Sequence, residues 1–173
     1  IDPDKSRRSG SFVAMASDTV DPVRRSYFVP QAAPADVYAV VVDFPAYPRL
    51  FPELLSTRVL TQDGARVRVD FRGQMVIPFR YVLDLVCDPG TPSVDWTFVE
   101  GEVVSGSAGG WRFVPDGGGT RIDYRAALEV KAPLPGFMLR RITNGLLSAS
   151  LPLMFASVAR ETAARKRAAV ASP

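Results

Sequence analysis

Between Ser56 and Val130, apolar and polar residues alternate in successive runs, and turn residues divide the runs into strands. Val67, Val69 and Phe71 alternate with Arg66, Arg68, Asp70 and Arg72; Phe79, Tyr81, Leu83 and Leu85 form a second apolar set. Val94, Trp96 and Phe98 make a third, Trp111 and Phe113 a fourth, and Ile122, Tyr124, Ala126, Leu128 and Val130 a fifth. A period of two sends successive side chains to opposite faces, so each set faces one way. Asp63-Gly64, Asp88-Pro89-Gly90, Gly101, Gly109-Gly110 and Asp116 to Gly119 supply the breaks. Adding Thr57 to Gln62 and an alternating run from Arg24 to Pro30 predicts six or seven antiparallel strands. One face is aromatic, while Arg72, Arg80, Asp84, Arg112, Asp123 and Arg125 fall on the other. Such a sheet is wet on one side and covered on the other.

Two segments follow a helical period instead. Pro34 suits a first helical turn, and Val37, Tyr38, Val41 and Val42 share one helical face. Then Pro45, Pro48 and Pro52 force a bent path through an apolar run carrying Phe44, Tyr47 and Phe51. Two short helices after the first strand are the expectation. After Pro135, Met138, Ile142, Leu146, Ala149 and Leu153 form one helical stripe beside a second made by Leu147, Leu151, Met154 and Val158. This broad apolar face is the candidate cover for the sheet. A straight helix over residues 136–168 would run roughly 50 Å; Pro152 predicts a kink or break near residues 148–152.

Composition narrows the chemistry. The 173 residues, 47% apolar and 23% charged, fit one soluble globular domain. Its limits are read as 23–169, with residues 1–22 a tag remnant or disordered tail, Met15 offering a natural start, and 170–173 a tail. No secretory signal pattern is evident, which makes a cytoplasmic location, peripheral to the membrane at most, the expectation. The net charge of +3 disfavours nucleic acid as a partner, although from Phe137 onward six basic residues stand against Glu161 alone. A single cysteine, Cys87, excludes an intrachain disulfide. The absence of histidine removes the commonest general base and the usual zinc ligand. No metal and no cofactor are expected, and any chemistry falls to carboxylates, Tyr, Lys or Arg.

Three stretches carry a family resemblance. VPQAAPADVYAVVVDFPAYPRLFP (29–52) is similar to the opening strand, helix and Tyr-Pro turn of the START-like, helix-grip superfamily. SGSAGGWRFVPDGGGTRIDYRAALEV (105–130) resembles its paired late strands, and KAPLPGFMLRRI (131–142) the entry to its last helix. This superfamily includes polyketide cyclases, lipid-transfer domains and coenzyme-Q-binding START proteins. The resemblance implies an α+β fold in which a curved antiparallel sheet wraps a long C-terminal helix around a hydrophobic tunnel. Carried onto this chain, the lining would be Val69, Phe71, Tyr81, Leu83, Trp96, Phe98, Trp111, Tyr124, Met138, Ile142 and Leu146, with Phe44, Tyr47 and Phe51 at an entrance.

The expected role is that of a carrier or chaperone of an apolar small molecule such as an isoprenoid quinone, a lipid or a polyketide-like chain. Transient membrane contact would use Phe44 to Phe51 together with the basic C-terminal helix. The alternatives are a cyclase or aromatase, with Tyr81, Glu100 or Tyr124 moving protons, and a ribosome or protein interaction module. Glu100 enters this set because it continues the parity of Trp96 and Phe98.

Overall fold

The computed structural model describes residues 18–75, 77–131, 135–145 and 149–171, with the backbone alone at 18–21, 142 and 143. Strand β1 (Asp18–Pro30) leads to α1 (Pro34–Val41), a single turn at Phe44–Ala46 and α2 (Tyr47–Leu50). Six strands follow: β2 (Leu54–Asp63), β3 (Arg66–Gln74), β4 (Pro78–Asp88), β5 (Ser93–Gly101), β6 (Val104–Asp116) and β7 (Gly119–Val130). Helices α3 (Gly136–Gly145) and α4 (Leu151–Ala171) complete the chain. All seven strands pair antiparallel in one sheet ordered β1-β7-β6-β5-β4-β3-β2. Alternation placed β3, β4, β5 and β7; Gly109-Gly110, expected to break the chain, instead lie inside β6 and pair with Trp96 and Asp95 of β5, because two residues without side chains can continue a ladder while carrying no alternation. β1 reaches farther back than Arg24 because a register shift between Val20 and Val23 accommodates Pro22, which has no ladder donor. The C-terminal apolar stretch is helical as α3 over Gly136–Gly145 and again from a π-helical pair at 149–150 into α4, with Pro152 in its first turn; part of the expected break near 148–152 lies outside the described residues.

The covered face meets α4 through Phe155, which is 4% exposed. Its ring stacks on Tyr27 at 5.5 Å and meets Trp111 and Tyr124 edge-on at 5.9 and 5.8 Å. Burying one such ring is worth about 2–3 kcal/mol, and each favourable ring pair adds about 0.5–1.5 kcal/mol. At the sheet end formed by Val29, Val94, Phe113 and Ile122, α1 completes the cover, with Tyr38 edge-on to Phe113. On the opposite, wet face, Arg68 pairs with Asp84 at 2.6 Å, and Arg112 and Arg125 both pair with Asp95 at 2.8 and 2.9 Å. Exposed pairs of this kind contribute little and join strand to strand, whereas the ring contacts of Phe155 join helix to sheet.

Side-chain hydroxyls satisfy carbonyls on both sides of α1: Thr120 donates to that of Ala32 before it (2.7 Å), Tyr47 to that of Val41 at its end (2.6 Å) and Thr57 to that of Phe44 in the Pro-broken segment (2.5 Å). A chain of charges then ties the segment to α4: Arg49 to Glu161 (3.0 Å), Glu161 to Arg165 (3.0 Å) and Arg165 to Asp43 (2.6 Å). Lys166 adds an ion pair with Asp36 at 3.5 Å. Two of the basic residues near the C-terminus therefore serve an internal clamp.

The clamp has a pH dependence whose sign is fixed. Hydrogen bonding to Arg165, reinforced by the charge of Arg49, holds the Glu161 carboxyl below its ordinary 4.5. The folded chain takes up that proton later than the unfolded one, so the stabilisation is complete above the ordinary value and disappears as pH falls below it. Glu161→Gln should lower Tm at neutral pH by about 2–4 °C, corresponding to about 1 kcal/mol, and flatten the acid limb of a Tm-against-pH curve. A parallel acid limb in wild type and variant would contradict this.

Candidate functional site

Helix α4 packs on the sheet through Phe155, and at the sheet end opposite α1 a space remains between them. There a cavity of about 250 Å³ opens beneath the first turn of α4. Phe71 from β3, Phe79, Tyr81, Leu83 and Leu85 from β4, Trp96 from β5 and Trp111 from β6 supply one wall. Tyr124, Ala126, Leu128 and Val130 from β7 continue it, and Leu151 and Met154 form the roof. Tyr47, Phe51, Glu53 and Leu54 close one side, and Met75 and Ile77 of the β3–β4 turn lie at the same end. The shape depends on Gly109, where a Cβ would overlap the Trp96 ring and the Arg125 carbonyl. The indole lies across β6 only because that position is bare. Its Nε1–H donates to Ser107 Oγ at 3.1 Å, so the buried donor is satisfied.

The polar atoms of the lining are few. The Tyr47 hydroxyl is committed to the Val41 carbonyl. For the Tyr81 and Tyr124 hydroxyls, and for the Glu53 carboxylate, no hydrogen-bond partner occurs among the described residues. Burial pushes the Tyr81 hydroxyl up to about 12, helped by the charge of Glu53. Burial likewise raises Tyr124, with Tyr81 adding to the effect, and raises Tyr47. All three are protonated at neutral pH and present O–H donors. Cys87, buried in β4, is pushed up to about 11 by burial and stays a thiol.

Of the residues expected to line a tunnel, Phe71, Tyr81, Leu83, Trp96, Trp111 and Tyr124 surround this cavity. Val69 is fully buried in the core behind it. Phe98 packs against the core without lining, and Met138 lies half-buried on α3 away from the cavity. The side chain of Ile142 and all of Leu146 fall outside the described residues. At the expected entrance, Tyr47 and Phe51 form cavity wall, stacked edge-on at 4.7 Å, whereas Phe44 belongs to the core. These rings are 9%, 4% and 3% exposed, so the loop offers no aromatic surface to a membrane.

Glu100 is excluded from the cavity. Val82 pairs with Glu100 and Leu83 with Phe98, which leaves Val99 as an extra residue in β5. That bulge reverses the parity, and the Glu100 carboxylate lies on the wet face, 59% exposed and 3.0 Å from Arg80. The residue the sequence reading missed is Glu53. It sits in the turn after Pro52, where no period exists to say which way a side chain points. Phe79 and Ala126 were legible as inward positions; Ser107 and Met75 lie in stretches without alternation.

A seven-stranded antiparallel sheet gripping a C-terminal helix, with an apolar cavity between them, defines a helix-grip protein of the START-like superfamily. Residues 22–160 match the family profile described as polyketide cyclase/dehydrase and lipid transport, and the chain belongs to that family. No curated protein matches it by sequence. Among solved structures it is similar to TTHA0849 from Thermus thermophilus, at 24% identity and TM-score 0.74, covering 83% of this chain and 98% of that one. It is similar also to the Zhui aromatase/cyclase from a Streptomyces species, at 18% identity and TM-score 0.77, covering 88% and 98%. A START superfamily protein from Mycobacterium smegmatis matches at 18% identity and TM-score 0.66, covering 80% and 97%. At such identities the likeness is one of fold. Among the described residues no helix is long and apolar enough to cross a membrane.

The raised tyrosines predict the behaviour in alkali. Their ordinary value is 10.0, and the folded chain holds their protons beyond it, so the stability they confer is intact below pH 10 and erodes as pH rises further. In an alkaline titration, the tyrosinate absorbance of these three should appear together with loss of the far-UV circular dichroism signal. Complete ionisation of all five tyrosines with the fold intact would contradict their burial.

Proposed function

We propose that this protein binds a compact apolar small molecule in the cavity beneath α4, as a carrier or chaperone. The observation that carries this reading is the cavity itself: an aromatic-walled space of about 250 Å³ at the one end of the sheet that neither α1 nor α4 fills. Protein interiors pack densely, so an apolar void is costly unless something occupies it. Small-molecule pockets run from about 300 to 1,000 Å³, which puts this one just below that range and favours a ring system or short chain. A long isoprenoid quinone would place only its ring inside. The family description, which includes lipid transport, supports the same class of ligand.

A cyclase or aromatase reading has one specific observation in its favour. Glu53, Tyr81 and Tyr124 bring a carboxylate and two phenolic donors to the same apolar space, a combination able to exchange protons with a bound polyketide-like chain. The Zhui likeness accords with that reading.

Native mass spectrometry of freshly purified protein, paired with organic extraction, tests the binding reading. The expected result is an added mass of a few hundred daltons that disappears on denaturation, or, for an emptied sample, uptake of a naphthalene-sized hydrocarbon. A sample with no adduct that takes up no such compound overturns it.

A further inference from the structure

The wall of the cavity is apolar except at one corner, where Glu53 carries the one formal charge among the described lining residues. Its place is fixed by backbone. Leu54 N–H donates to the Phe51 carbonyl (2.9 Å), and Gln74 N–H donates to the carbonyl of Glu53 itself (2.9 Å). Gly73 lies directly against this turn, and a Cβ there would overlap both the Glu53 carbonyl and the Phe79 ring. The bare position in β3 thus seats the backbone of the Glu53 turn beside a wall ring, and the Glu53 side chain, half-buried, lines the cavity from there. The ion pairs formed by the described residues do not include Glu53, whereas the wet-face carboxylates Asp70, Asp84 and Asp95 each hold arginines. Its charge is felt across the cavity at the Tyr81 hydroxyl.

A hydrocarbon that closes over this corner strips water from a carboxylate and returns nothing for it, which weakens binding. A ligand that brings a donor to the same place replaces the lost water with a charge-assisted hydrogen bond. We infer that Glu53 is the recognition group of the cavity, selecting ligands with an apolar ring body and one hydrogen-bond donor, hydroxyl or ammonium, at one end and rejecting ligands that end in a carboxylate. This rests on the binding role proposed above. The aromatic walls accommodate either donor, since Tyr and Trp faces also attract a cation. Free fatty acids are excluded on this account, and a quinol is preferred to its quinone.

Calorimetric titration of the wild type and Glu53→Gln with four naphthalenes tests the inference. 2-Methylnaphthalene has no donor, 2-naphthol brings a hydroxyl, 2-naphthylmethylamine an ammonium, and 2-naphthoate a carboxylate. In the wild type the two donor compounds should bind at least about ten-fold more tightly than 2-methylnaphthalene, and 2-naphthoate at least about ten-fold more weakly. Which donor gains more distinguishes the hydroxyl from the ammonium class. Glu53→Gln should bind 2-methylnaphthalene more tightly than the wild type does, lose the ammonium preference and recover binding of 2-naphthoate, with Tm unchanged because backbone holds the turn. The same order of affinities in both proteins overturns the role of Glu53 and leaves the cavity reading standing. Failure of all four to bind either protein overturns both.

Discussion

Phe155 reaches from the second turn of α4 into Tyr27, Trp111 and Tyr124, and the way the helix meets the sheet follows from that contact. Three strands, β1, β6 and β7, present rings to a single side chain, so the helix is pinned over one region of the sheet. A rigid cylinder pinned at one region of a twisted surface diverges from it elsewhere. Near Phe155 the divergence is filled by Val158 and by α1; toward the start of α4 it is left open. The cavity is thus the geometric remainder of the contact that holds the fold together.

The pieces around that remainder divide into those that pack and those that orient. The charge clamp of Arg49, Glu161, Arg165 and Asp43 keeps the Pro-broken segment against α4, while the Tyr47 and Thr57 hydroxyls tie it to α1 and β2. That segment in turn carries Tyr47, Phe51 and Glu53 to the cavity edge. Gly109 and Gly73 act on the sheet side, one laying Trp96 over β6 and the other seating the Glu53 turn beside Phe79. A basic C-terminal helix that reads in isolation as a membrane or phosphate surface is partly consumed by this assembly.

Most strand positions and inward faces were legible because alternation with polar partners is a strong signal on a half-wet sheet, whereas the pairing of β1 with β7 was not, since alternation says nothing of partners. Most of the aromatic wall followed from it, including Phe71, Tyr81, Trp96, Trp111 and Tyr124. Parity failed where the backbone adds a residue: the bulge at Val99 sends Glu100 outward, and no residue type in that run announces it. Periodicity was silent in the turn after Pro52, so Glu53 escaped notice while the nearby aromatics drew attention. The rings of Phe44, Tyr47 and Phe51 look alike in sequence, yet tertiary packing sends the first to the core and the other two to the cavity. The break expected from Pro152 falls partly on residues 146–148, outside the described residues; Pro152 itself sits in the first turn of α4, where a missing donor costs nothing.

The central claim is that the space under the start of α4 is where ligand binds, and filling it is the direct test. Ala126 lines the cavity from β7, and Ala126→Phe would place a ring in the void. Titrated with 2-naphthol, this variant should retain a cooperative thermal transition and lose at least about ten-fold in affinity relative to wild type. A folded Ala126→Phe protein that binds 2-naphthol as tightly as wild type would contradict the claim.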